Sequence, residues 1–587
     1  MRSSCVSITA TLGFTMGLIS AAAWAQAPAD PPDIIFLHGK IHTQNAQHEV
    51  VEALGVRGNR IVAVGTDQSV ATLAGPKTRI VDLKGEVMLP GFIDAHTHPA
   101  DSAQMLGKCS LDDKAAPFEK IKARIDACLA KNPGDPKRWY EVVMVNPTGN
   151  QLTARQLDQI LSSRPMVLEG ADGHTDWLNS AALAAAHLDN TTPDPRGGRL
   201  ERDDAGNLSG VLRDDAMLLA SAAMPLPTPE EETALLRKAF AQMHAVGITS
   251  VQDADDDDHR MSLYKRLYDE KRLDMRVRGS FRILDLHSRS ADVATNATEF
   301  RRKWSIDPDF LRADAVKIYA DGVIEYPSQT ATLLAPYLDA AGRPTTNRGP
   351  SYFSPKELNQ IVAAVDAAGF TVHIHAIGDG AVRASLDAVE AARRQNGNLD
   401  NRDQIAHLEL VDPQDFPRFK SLAVIANFQL LWALHETYID KGTIPYLGPE
   451  RSRYLYPARS LQDAGAMIAG GSDWGVSSFD PFIAIEHGIT RAERRGAPRL
   501  LPEQALSLQD MVDAYTRNAA YALKQEKTTG SLEVGKFADL IALDRDLFAL
   551  DAYDVHKTRV LFTYVNGREV FRAVVGGKAV YRSDTAL

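Results

Sequence analysis

Eight short apolar segments, separated by stretches of helical periodicity, constrain this chain more than any other feature. They are Val87–Asp94, Ile248–Gln252, Arg276–Arg282, Ala315–Ala320, Phe370–His375, Gln404–Leu408, Ala423–Asn427 and Met467–Gly471. Buried strands alternating with amphipathic helices build parallel sheets, and eight is the number that closes a parallel β/α barrel. Helix boundaries between the strands are explicit. Thr228-Pro229-Glu230-Glu231 combines an N-cap, a first-turn proline and a capping-box glutamate, and Gly247 stops that helix before the next strand. Ser354-Pro355-Lys356-Glu357 repeats the device, with Gly369 as its stop.

The strand list has a gap from about Asp101 to Ala245, and a barrel needs only about 250 residues. We read most of that gap as an insertion after the first barrel strand, on the face where βα loops gather. At the two ends the texture changes to alternating, turn-punctuated strands. They run over Asp33–His42, Ala53–Val64 and Arg79–Leu83 at the start, and over Ala538–Leu543, Val560–Val565, Glu569–Val575 and Ala579–Arg582 at the end. Neither end makes a good sandwich alone, so the two are expected to pack together. The expected fold is therefore α/β: a (β/α)8 TIM-like barrel over 87–520, with a composite β-sandwich from residues 26–86 and 521–587 and the insertion over about 101–245.

Residues 1–25 read as a signal peptide. Arg2 precedes an apolar stretch from about Val6 to Ala23, and Ala23-Trp24-Ala25 gives a small-residue cleavage site before a Pro-rich linker. This predicts a periplasmic or secreted protein with no stable membrane span after processing. A net charge of −11 with no long basic run argues against nucleic acid as a partner. The expected partner is a small-molecule substrate, with homo-oligomerisation open. Cys109 and Cys128 are left after processing; a disulfide and two buried thiols are both open.

The chemistry is concentrated at the strand ends. In Pro90-Gly91-Phe92-Ile93-Asp94-Ala95-His96-Thr97-His98, alternate strand residues share a face, so His96 and His98 project together as a chelate for a divalent metal. Lys317 lies inside an apolar strand, where a bare ammonium is costly. His373 and His375, then His407, then Asp473 fall at the ends of later strands, and the C-terminal ends of barrel strands meet at one mouth.

These motifs (G-F-x-D-x-H-x-H, V-K-x-x-x-D-G, H-A-I-G-D, A-H-L and G-S-D-W) resemble the amidohydrolase superfamily. They are more closely similar to its YtcJ-like branch, which includes N-substituted formamide deformylase. The segment Gly173–Leu183 in the insertion carries the same likeness. The resemblance implies one or two divalent metal ions, zinc being the ion that imidazole and carboxylate ligands suit. It implies that His96 and His98 bind one metal with Asp473, and that Lys317, carboxylated, bridges to a second held by His375 and His407. An unmodified lysine paired with a carboxylate is the alternative. Asp473 is the expected general base, His373 a supporting residue. His174 either stabilises a developing oxyanion or orders a loop.

Tyr319 and Asp321, on the lysine's alternating face, are candidate substrate-binding residues, as are Trp177, Trp432 and Trp474, for which simple packing is the alternative. The run Asp255–Asp258 reads as a solvated loop in preference to a contact for a cationic substrate. Gln429-Leu430-Leu431-Trp432-Ala433-Leu434-His435 and Gly378-Asp379-Gly380-Ala381 depart from the branch's Q-P-x-H and G-D-R-A. The expected activity is hydrolysis of a linear amide or N-formyl C–N bond. Cyclic amidase, deaminase and esterase activities use the same activated water, and a silent binding or regulatory protein is the reading from another class.

Overall fold

The computed structural model describes residues 30–147, 152–171, 175–195, 198–214, 216–283, 290–575 and 578–579. The expected signal peptide and His174 lie outside the described residues. Eight parallel strands form one sheet: β1 (Phe92–Thr97), β2 (Ile248–Asp256), β3 (Arg276–Arg282), β4 (Leu311–Tyr319), β5 (Thr371–Ala376), β6 (Gln404–His407), β7 (Ile425–Phe428) and β8 (Met467–Gly470). Each pairs with the next in sequence order, from β1 through β8. The last seam, between β8 and β1, is closed beyond the strand ends. There the Asp473 N–H donates to the His96 carbonyl at 2.7 Å and the His98 N–H to the Trp474 carbonyl at 2.8 Å.

The helices begin and end where the capping chemistry places them. Thr228 and Ser354 each cap a helix in a complete capping box with the glutamate three residues on. Gly247 and Gly369 take φ of 88° and 79°, the left-handed region that favours glycine and turns the chain into the next strand.

The expected first strand, Val87–Asp94, is two strands. Val87–Pro90 pairs with Lys40–His42 and Leu540–Leu543 in the outer sheet, and only Phe92–Thr97 enters the barrel. Gly91 makes the junction, because a Cβ there would lie 2.3 Å from Thr249 side-chain atoms. The six-stranded outer sheet sets three strands from the C-terminal end beside three from the N-terminal end, and a four-stranded sheet of Ile34–Leu37, Ala53–Arg57, Arg60–Gly65 and Arg79–Asp82 packs against it. Their shared core joins Phe36, Leu54 and Met88 to Leu540, Phe562 and Tyr564.

The insertion has a structure that periodicity did not reveal. Its six-stranded mixed sheet is ordered 198–202, 208–214, 175–178, 166–170, 140–145, 109–110. It has apolar clusters of its own, and a disulfide joins Cys109 to Cys128 on the helix Phe118–Lys131.

Barrel and outer sheets are joined by a buried ion pair. Arg276 on β3 donates through Nε to Asp539 Oδ2 at 2.5 Å and through Nη2 to Oδ1 at 3.1 Å, with both side chains buried. The same guanidinium donates to Asn566 Oδ1 at 3.2 Å and the Asp309 carbonyl at 2.7 Å, so its desolvation is offset by several directed bonds. Asp539→Ala leaves that guanidinium buried without its anion. It is expected to lower stability by about 3–5 kcal/mol in a urea titration, and a midpoint unchanged from the parent would show that the joint contributes nothing.

Candidate metal centre

β1 carries His96 on its last turn of pleat and releases His98 one residue beyond the strand. Across the barrel's last seam, Gly471 lets β8 approach β1 closely: a Cβ there would lie 2.6 Å from the His96 Cβ and 2.8 Å from its backbone N. Asp473 follows in the left-handed region, at φ 53°, which swings its carboxylate back over the β1 histidines. Asp473 Oδ1 lies 3.1 Å from His98 Nε2 and 3.5 Å from His96 Nε2, and Oδ2 lies 4.0 Å from His407 Nδ1. His407 itself ends β6 at φ 79°, with Leu408 at 54°. Non-glycine residues rarely hold such angles, and their concentration at strand ends is typical of functional positions.

One ligand atom each from His96, His407 and Asp473 lies within 4.8 Å of the others, and all three residues are buried. Both ring nitrogens of His407 are buried with no hydrogen-bond partner. A buried imidazole with two unsatisfied nitrogens is costly in a purely structural role, and a cation satisfies it. The donor set therefore fits a divalent metal.

Lys317 on β4 is buried, its Nζ 3.3 Å from His96 Nε2 and 4.8 Å from the Tyr319 ring centroid. His375 on β5 lies beside His407, ring centroids 4.3 Å apart, with its Nε2 3.2 Å from the Gly322 carbonyl. All six expected ligands are thus gathered at the C-terminal mouth of the barrel.

Electrostatics keep this set ready to bind. Burial, and then the nearby Lys317, pulls His96 down to about 3 and His375 to about 4, while burial holds His407 well below its ordinary value. These rings are neutral near pH 7, the form a metal requires. For His98 the cost of burial is outweighed by Asp473, and its pKa rises. Asp473 shows the converse: burial opposes ionisation, but hydrogen bonds from His96 and His98 hold it well below the carboxylate range. Burial draws the Lys317 ammonium down to about 8.

A chain of amides beneath the site orients the ligands. His373 Nε2 lies 2.8 Å from His96 Nδ1, turning His96 Nε2 toward Lys317 and Asp473. Gln252 Nε2 supports His373 Nδ1 at 2.7 Å and donates to Ser280 Oγ at 3.1 Å. Gln404 donates to Gln252 at 3.2 Å, and Asn427 donates to Gln404 at 2.9 Å and to the Ala95 carbonyl at 3.0 Å. Sequence reading expected His373 as a supporting residue but missed the amides of this girdle. Its signal was present as polar residues at inward positions of strands otherwise apolar.

The remaining candidates divide. Trp432 stacks on His407, centroids 5.9 Å apart and planes 11° apart, and so borders the site. Trp474 contributes its carbonyl to the seam, while its ring packs edge-on against Phe479 at 5.0 Å. Tyr319 donates its hydroxyl to Asp255 Oδ2 at 2.5 Å. Asp321 is not an open wall residue. Its carboxylate accepts the N–H groups of Thr332, Ile377 and Gly378 at 2.9–3.0 Å and so orders the turn that follows His375. Trp177 is buried in the insertion's own apolar cluster, because its strand lies inside the inserted sheet. The solvated-loop reading fails for Asp255 and Asp256, which are buried because β2 extends through them to Asp256.

Gly471→Ala forces the added methyl into the His96 backbone and side chain. It is expected to lower metal affinity by about 10–100-fold, measured by metal analysis after dialysis against a graded chelator; unchanged affinity would mean that the seam does not set the site.

Residues 79–571 match the amidohydrolase family. N-substituted formamide deformylase of Arthrobacter pascens is 28% identical, over 91% of this chain and 97% of its own length. Putative amidohydrolase YtcJ of Bacillus subtilis is 27% identical, over 91% and 98%. Among solved structures, an uncharacterized metal-dependent hydrolase from Pyrococcus furiosus superposes with a TM-score of 0.69 at 22% identity, covering 87% of this chain and 99% of that one. Atrazine chlorohydrolase TrzN from Arthrobacter aurescens, complexed with zinc, gives 0.52 at 15% identity, covering 93% and 96%. With the eight-stranded barrel, the sheet built from both chain ends and the histidine–aspartate mouth in place, this chain belongs to the amidohydrolase family.

Proposed function

We propose that the protein hydrolyses a linear amide or N-formyl C–N bond of a small molecule, using a metal-activated water and Asp473 as general base. The observation that carries this reading is the convergence of His96, His407 and Asp473 around the unsatisfied nitrogens of His407. Similarity to an N-substituted formamide deformylase along nearly the whole chain supports the bond type.

His96, His98 and Asp473 would hold one ion, and His375 and His407 a second, with Lys317 between them once its amine is carboxylated. Zinc suits this donor set and is named in the TrzN structure. When bound, the metal lowers the pKa of water toward neutrality and polarises the scissile carbonyl. A lysine drawn down to about 8 exposes far more free amine at neutral pH than an ordinary one, and free amine is the form that takes up carbon dioxide. Asp473 is held ionised by His96 and His98, the state needed to accept a proton. The same carboxyl then delivers that proton to the leaving nitrogen, which departs as an amine. Trp432, stacked on His407, shields the mouth from bulk water on one side. The Cys109–Cys128 disulfide supports export to an oxidising compartment, and among the described residues no helix is long and apolar enough to cross a membrane.

The test is a screen of N-formyl and N-acyl amines on metal-quantified enzyme. Turnover on at least one linear formamide or amide is expected, lost on chelation and restored by zinc. Asp473→Asn should retain most of the metal and lose about 10²–10⁴-fold in kcat. Parent-like turnover by this variant would exclude the base, and metal-loaded enzyme inert to every linear amide would exclude the bond type.

A further inference from the structure

Three arginines stand on β3, and the last of them is placed unlike the others. Arg276 and Arg278 are buried, and each nitrogen of both guanidinium groups donates to the protein. Arg276 holds Asp539 through two bonds. Arg278 donates to Asp314 Oδ1 at 2.6 Å, to the Ala522 carbonyl at 2.9 Å and to Thr371 Oγ1 at 2.6 Å. Arg282 closes on nothing in this way. Its side chain is 37% exposed, and its charged contact is Asp255 Oδ1, 3.5 Å from Nε. Its Nη1 and Nη2 groups bond to no described residue.

Strand register fixes where Arg282 points. Directly opposed residues of adjacent parallel strands share a face of the sheet. Arg282 is opposed to Lys317 on β4, and Ser280 to Ala315. Ser280 Oγ accepts from Gln252 Nε2 inside the barrel, and Lys317 Nζ lies 3.3 Å from His96 Nε2. Arg282 therefore lies on the same inward face, at the end of β3 where the mouth opens. Adjacent contacts join it to the metal centre. Asp255 accepts the Tyr319 hydroxyl on Oδ2 at 2.5 Å, and the Tyr319 ring lies 4.8 Å from Lys317 Nζ and 5.4 Å from the His375 ring.

An arginine retained only to neutralise Asp255 would close on it, as Arg276 closes on Asp539. It does not: Asp255 Oδ1 is buried with no hydrogen-bond partner. The carboxylate instead flanks the Nε side of the guanidinium, and Tyr319 holds the carboxylate in place. This leaves the edge formed by the two Nη groups, which matches a planar carboxylate in a bidentate pair. A guanidinium stays charged at every ordinary pH, and one guanidinium matches the single charge of one carboxylate.

We propose that Arg282 is a specificity residue of the mouth, receiving through Nη1 and Nη2 a carboxylate carried by the substrate while the metal centre holds the amide. Asp255 and Tyr319 act through it as positioning residues. The proposal rests on the amide-hydrolase reading for the cleaved end, but recognition of an anion can be measured without turnover.

Succinate is the probe, titrated calorimetrically into metal-quantified enzyme, with succinamide as the uncharged control of the same length. Binding of succinate and not of succinamide is expected. Arg282→Ala and Arg282→Gln should each weaken it by about 10–100-fold, through loss of charge-assisted hydrogen bonds. The glutamine variant keeps most of the side-chain volume beside Asp255, so the test survives if the alanine variant does not fold. A carboxylate held by the metal alone would show an affinity that both substitutions leave intact. In parallel, kcat/KM for N-formyl-β-alanine should exceed that for N-formylpropylamine through a lower KM, and the two should converge in the variants. Equal binding of succinate and succinamide, or succinate affinity unchanged in every variant that folds, overturns the subsite. Succinate binding that depends on Arg282, in an enzyme that hydrolyses neither formamide, upholds the subsite and counts against the amide reading alone.

Discussion

The close approach of β8 to β1 at Gly471 is the constraint on which the site depends. Seven junctions of the barrel are ordinary parallel ladders. The eighth is made by the ligand-bearing segments themselves, through the Asp473 N–H to the His96 carbonyl and the His98 N–H to the Trp474 carbonyl. Closing the barrel and bringing these histidines and the aspartate together are therefore one event. Only a residue without a Cβ fits at Gly471, and only a left-handed Asp473 turns its carboxylate back toward both β1 histidines. The seam puts backbone and ligands under one geometric condition, which makes the site rigid where chemistry needs fixed distances.

Beneath the mouth, the barrel interior is unusually polar. Gln252, Gln404, Asn427 and His373 form a continuous hydrogen-bonded support for His96. Buried amides are stabilising only when their bonds are made, and here they reach backbone carbonyls such as those of Ala95 and Ala522. Asp94 works at the same seam, accepting the Ser472 N–H at 2.9 Å and the His96 N–H at 3.3 Å. Burial raises its pKa to about 7, so this carboxyl is held by bonds and not by a neighbouring cation. Beside Lys317 on the same strand, Tyr319 donates its hydroxyl to the buried Asp255 at 2.5 Å.

Much of the chain was legible before any coordinates. Helix starts at Thr228 and Ser354, stops at Gly247 and Gly369, and seven of the eight barrel strands follow from chemistry within a few residues of each position. The six expected ligands were legible because each stands at the C-terminal end of an apolar strand or just beyond it. What failed did so for identifiable reasons. Val87–Asp94 reads as one apolar run, but Gly91 divides it between two sheets, and nothing local announces which partner each half will take. Trp177 and Asp321 look like wall residues by position; one is buried in an inserted sheet and the other spends its oxygens on backbone N–H groups.

What the sequence by itself determined was the alphabet of parts: strand and helix identities, their caps, and which imidazoles, carboxylates and amine stand at the strand ends. These are local properties, set by periodicity, capping and the placement of ionisable groups in apolar strands. The tertiary structure decided which parts meet: the seam at Gly471, the amide girdle under His96, and the joint between Arg276 and Asp539. Such meetings depend on loop paths and on how closely strands can pack. Those quantities emerge only when every side chain is placed at once.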